Sequence, residues 1–137
     1  MGAWGIGNFE NDAALDWLAT LTDMKGLTDA LRKVADAPAE PYLDADSCCA
    51  ALAAAEVIAA LCGVPGSKLP ERMIEFVASY EGDCTASHLG LAMKAIARID
   101  ADSELQELFD EGGRDERWHG VLRELSERLS RAAGGQG

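Results

Sequence analysis

Positive charge is what this sequence has least of. Lys and Arg number 12 against 24 Asp and Glu, for a formal net charge of −12. Binding to nucleic acid phosphate requires a basic face, so no nucleic acid partner is expected. An anionic membrane surface is disfavoured on the same ground. A basic protein is the partner that this charge suits. Cysteines are few as well, and no CxxC pair occurs among Cys48, Cys49, Cys62 and Cys84. Cys48 and Cys49 are adjacent, and on a helix they would point about 100° apart. A disulfide between them is therefore not expected. The four read as reduced, partly buried thiols of a cytoplasmic protein.

Other absences narrow the reading further. The longest apolar stretch, 48–62, is dominated by Ala and carries Glu56, so it is too short and too weakly apolar to span a bilayer. Trp4, Glu10 and Asp12 stand where a secretory leader would be apolar, so none is expected. Ile6 stands where N-myristoylation calls for Ser or Thr. No Gly-Lys-Ser/Thr follows the early glycines and no strand precedes them, which excludes the two common nucleotide-binding loops. No cofactor is expected. No segment sustains a period-two alternation of β-branched residues, so no strand is expected.

What is present is helical. The length of 137 residues suits one domain. Only four prolines occur, and the glycines cluster, leaving long segments of Ala, Leu, Glu and Arg between them. The first helix is expected over about 11–21, capped by Asn11, with Ala14, Trp17, Leu18 and Leu21 as its buried stripe. A second, over about 27–37, ends at Pro38. The third, over about 45–62, runs from an Asp44 cap to Gly63. It is apolar on nearly every face, which places it at the centre of a bundle. Helices follow over about 70–80, broken by Gly82, and over about 85–99, capped by Thr85. A short one is signalled by a Ser103/Gln106 capping box, and a last one spans about 115–132. The expectation is one all-α domain, a compact bundle of six to seven helices over 1–137. A non-helical Gly/aromatic arm precedes it at 1–10, and a flexible tail follows at 133–137.

The opening MGAWG, with Gly7, Phe9, Asn11, Asp12, Ala14, Asp16 and Trp17, resembles the start of the bacterial domain-of-unknown-function 4259 family. The runs at 53–63 and 103–111 and the helix from Trp118 to Leu125 are similar to later segments of that family. Phe109 stands where the family often has Trp, which keeps an aromatic anchor. The resemblance covers essentially the whole chain. It implies a single-domain cytoplasmic protein and carries over no catalytic residue.

Several constellations are candidates for function. Trp4, Phe9 and Trp17 read as apolar anchors that make the glycine arm a structural clasp. Asp12 and Asp16 share one helix face, and with Glu56 they are a candidate oxygen site for a divalent cation. Glu56 is the only charge between Asp46 and Lys68, so it is expected at least half buried, accepting hydrogen bonds from the arm's backbone amides or an indole. Cys84 and His88, one helical turn apart, are a weaker candidate pair for zinc. Glu40, Asp44 and Asp46 lie in a stretch with no basic residue between Lys33 and Lys68, a candidate acidic face for a partner. The leading expectation is a non-enzymatic interaction protein with an acidic surface. The alternatives are a structural homo-oligomer, such as a homodimer, using an alanine-smooth helix face, and a small metal-dependent enzyme using the clustered carboxylates.

Overall fold

A computed structural model of the chain describes residues 7–38, 43–66 and 69–136. Among them are seven helices and no strand: α1 (Asp12–Thr20), α2 (Met24–Ala35), α3 (Ala45–Leu61), α4 (Glu71–Tyr80), α5 (Ala86–Ala101), α6 (Glu104–Phe109) and α7 (Glu116–Gln136). Local capping explains most of the boundaries. Asn11 accepts from the Ala14 amide at 2.7 Å, and Asp44 from the Ser47 amide at 2.9 Å. The Thr85 amide donates to His88 Nδ1 at 3.0 Å, so a histidine fills the place that Glu or Gln takes in a capping box. Gly63 and Gly82 follow the ends of α3 and α4 with φ of +86° and +94°, the left-handed geometry that ends a helix.

Two boundaries and one cap differ from expectation. α2 starts earlier, at Met24, because Asp23 caps it by accepting from the Gly26 amide. α7 passes the expected stop and runs through the terminal glycines to Gln136. The capping box of α6 is half made. Ser103 accepts from the Gln106 amide at 3.0 Å, but the Gln106 side chain turns away and donates to Asp110 at 2.7 Å.

The centre of the bundle is α3, which packs against each of the other six helices. Its alanines make this close approach feasible. Ala51, Ala53, Ala54, Ala55 and Ala59 are all buried, and Leu52, Val57 and Ile58 fill the space between neighbours. These five alanines are thus consumed inside the chain. α5 and α7 close the other side through Leu89, Ile96, Ile99, Trp118, Leu122, Leu125 and Leu129. α4 is tied to the α1–α2 connection, where the Tyr80 hydroxyl donates to the Thr22 carbonyl at 2.8 Å and Arg72 donates to the Leu21 carbonyl.

The cysteines depart from the expectation of four reduced thiols. Cys62, at the end of α3, is bonded to Cys84, just before α5, with Cα atoms 5.9 Å apart. That separation is ordinary for a disulfide. The link spans 22 residues and contributes about 3 kcal/mol by restricting the unfolded chain. Cys48 and Cys49 remain free and buried. Burial pushes their thiols up to about 11 and about 12, which leaves them inert near neutrality. A thiol reagent should therefore find no fast-reacting group in the native protein and two after denaturation, namely the free pair. Prior reduction should raise the denatured count to four, and a count of four without reduction would remove the disulfide.

Candidate functional site

The candidate residues separate into three places. The first is a groove of about 580 Å³ where α1, α2 and the start of α3 meet. Ala13, Ala30 and Ala50 give it a shallow wall, and Trp17, half-buried, adds an aromatic one. Four aspartates border it: Asp16 from α1, Asp29 from α2, and Asp44 and Asp46 at the head of α3. Lys33 is the one basic residue among its lining residues. Asp29 is already paired with exposed Lys25 at 2.6 Å. Burial pushes the Asp44 carboxyl upward, but hydrogen bonds from the Ser47 hydroxyl and amide, helped by Lys33, outweigh it and hold the group below its ordinary 3.8. Asp44 thus stays charged while it caps α3. Of the expected acidic face, Asp44 and Asp46 stand together here, and Glu40 lies outside the described residues. Sequence reasoning missed Asp16 and Asp29 as their neighbours, because those residues reach the groove from helices 15 or more positions upstream.

The second place surrounds Glu56. It is 7 % exposed, more deeply buried than half. The expected tie to the arm exists, but it runs through a side chain: Asn8 Nδ2 donates to Glu56 Oε2 at 2.8 Å. Arg128 of α7, which the sequence gave no reason to single out, is the main partner. Its Nη2 donates to Oε2 at 3.1 Å, and its Nη1 lies 3.0 Å from Oε1. Arg128 also donates through Nε to Glu124 at 2.6 Å and through Nη1 to the Val64 carbonyl at 3.1 Å. Burial works against this guanidinium, and the bonds to Glu56 and then Glu124 more than compensate, so its pKa lies above the ordinary value. Phe9 packs on the core beside this pair, and a turn closes at residues 7–10, where the Glu10 amide donates to the Gly7 carbonyl at 3.0 Å. Trp4, the third arm anchor, lies outside the described residues.

The proposed cation set does not assemble. Asp16 lines the aspartate groove, Glu56 is bound to Arg128 in a different cavity, and Asp12 is exposed in the first turn of α1. Among the described residues, no three His, Cys, Asp or Glu side chains converge as metal ligands. The Cys84–His88 pair is spent elsewhere as well, on the disulfide and on the Thr85 amide.

The third place went unread in the sequence. His119 is 3 % exposed and stands between two carboxylates. Its Nδ1 pairs with Asp100 of α5, and its Nε2 lies 2.9 Å from Asp110, just past α6. Both ring nitrogens face acceptors, so both must carry protons, and only the imidazolium does so. Burial opposes that charge, but the hydrogen bonds with Asp110 and Asp100 prevail and raise the pKa above 6.5. Asp110 falls to about 2, held there first by Gln106, then by the Asp115 amide, against a small desolvation cost, with His119 contributing after these. Trp118 packs edge-on against the imidazole and stacks on Phe109 at 4.9 Å. The clamp pins α5, α6 and α7 together.

A helical bundle with an acidic groove, a buried ion pair and no described membrane-crossing helix defines a small acidic all-α protein. The chain belongs to the family described as a domain of unknown function, DUF4259, whose model matches residues 2–120. Most of α7, with Glu124 and Arg128, lies past the matched residues. Neither a curated protein nor a solved structure matches the chain.

Proposed function

We propose that this chain is a binding module for a basic protein segment, with the aspartate groove as its docking face. The observation that carries the reading is the convergence of Asp16, Asp29, Asp44 and Asp46 from three helices on one groove walled by Trp17. Clustered carboxylates speed and orient the approach of a cationic partner. An indole beside them adds a cation–π contact for Lys or Arg, worth about 0.5–1 kcal/mol at an exposed site.

The test is calorimetric titration with a Lys/Arg-rich peptide at low and at physiological salt. Asp16→Asn with Asp46→Asn should weaken binding about tenfold, or about 1.4 kcal/mol. Both lack a capping duty, so the fold should survive. Matched neutralisation of Glu111 and Glu127, away from the groove, should change little. Equal losses from the two pairs would mean that net charge alone attracts the peptide. The reading requires no particular compartment. A cytoplasmic setting, expected from the sequence, must accommodate a disulfide that reducing compartments disfavour. Alkylating the protein at the moment of cell lysis and counting blocked cysteines decides that point.

A further inference from the structure

We propose that a cavity of about 260 Å³ on the seam between α5 and α7 binds a small amino-acid zwitterion, whose carboxylate meets Arg123 and whose ammonium meets Asp100. It shares no lining residue with the aspartate groove, so it does not depend on the docking face proposed above. Its volume lies just below the range of about 300–1,000 Å³ common for drug-sized ligands, which suits a molecule as small as an amino acid.

The seam accounts for the space. His119, Leu122, Arg123 and Ser126 stand at i, i+3, i+4 and i+7 on α7, and this stripe lines the cavity together with Ile96, Ala97 and Asp100 of α5. Ile96 and Leu122 are buried and form an apolar floor. Ala97 and Ser126 are short, and the gap above that floor stays open.

Two opposite charges line this space without meeting each other. The Arg123 guanidinium makes no ion pair or hydrogen bond among the described residues. Asp100 spends Oδ1 on His119, while its Oδ2 accepts nothing among the described residues. The Asp100 side chain is 44 % exposed, so the carboxylate is reachable from solvent. The other charged lining is already committed. His119 gives its two ring nitrogens to Asp100 and Asp110, and Arg114 pairs with Glu116 at 2.7 Å. A simple anion would gain Arg123 but face Asp100, and a simple cation would gain Asp100 but face Arg123. A zwitterion meets both demands, since its carboxylate only accepts and its ammonium only donates. Both contacts are charge-assisted, roughly twice as strong as neutral hydrogen bonds.

The test follows amide chemical shifts of the full chain during titration with glycine, β-alanine and γ-aminobutyrate, whose charges stand progressively further apart. N-acetylglycine, which lacks the ammonium, and glycinamide, which lacks the carboxylate, are the singly charged controls. The expected result is saturable shifts at Ala97, Asp100 and Ser126 with at least one zwitterion, and at least tenfold weaker binding of both controls. The tightest of the three zwitterions measures the span from Arg123 to Asp100. Ala97→Leu fills the cavity from an exposed position and should weaken binding at least tenfold in a folded protein. Arg123→Gln should do the same, and neither variant removes a partner of His119. Either control binding as tightly as the best zwitterion overturns the proposal. So do binding that is indifferent to Ala97→Leu, and an absence of saturable shifts at tens of millimolar.

Discussion

Replacing Arg128 with Met should cost about 3–5 kcal/mol of folding stability, the usual penalty for removing one partner of a buried ion pair. For a domain of this length, the melting temperature should fall on the order of 10 °C. The reason is what stays behind. Glu56 is 7 % exposed and would retain only the Asn8 amide as a donor, while the Val64 carbonyl would lose its own. Glu124 matters less, because its side chain is 56 % exposed and can return to water. The double variant Glu56→Gln, Arg128→Met removes the stranded charge and keeps an acceptor for Asn8. It should therefore be more stable than Arg128→Met alone. Denaturant unfolding of the three proteins measures this. A loss below about 1 kcal/mol for Arg128→Met would mean that the pair is solvated in solution.

His119→Gln should cost about 2 kcal/mol near pH 5, the scale of hydrogen bonds to charged partners, and less as the solution becomes basic. The direction follows from the two folded-state shifts. The imidazole pKa is raised above 6.5 in the folded protein. Its contribution is complete below 6.5 and disappears as pH rises through the folded value, because there the native state holds a proton that the unfolded chain has lost. Asp110 behaves in the opposite sense. Its pKa falls from 3.8 to about 2, so its contribution is present above 3.8 and is lost as pH falls toward 2. The clamp is thus at full strength between these limits. Unfolding free energies of the wild-type and His119→Gln proteins, followed from pH 5 upward, should differ most below 6.5 and converge as pH rises beyond it through the folded value. A constant gap between the two curves would show that the histidine acts by shape rather than by charge.

The helices were legible in the sequence because their signals are local. Asn11, Asp44, Thr85 and Ser103 announce helix starts within three residues of the amides they serve, and α3 declares its central place by being apolar on every side. Asp23 carried the same signal and was passed over, which is why the expected start of α2 came late. The site chemistry was legible only in part. That Glu56 needed a partner could be read from its surroundings in the sequence, but that partner lies 72 positions away. His119 meets Asp100 and Asp110 from 19 and 9 positions away, across a turn whose path no periodicity reveals. The Cys62–Cys84 bond is also a matter of tertiary proximity, since nothing in a spacing of 22 residues distinguishes bonded from free cysteines.

That bond gives the polypeptide a covalent topology of its own. The chain is a closed ring, from Cys62 to Cys84 and holding α4, with one long tail leaving each side. A protease cut anywhere within the ring opens it without separating the tails. The nicked protein should keep its mass, apart from one added water, until a reductant is supplied. The segment from 63 to 83 is therefore the one stretch where the backbone can be interrupted and the molecule remain a single covalent species.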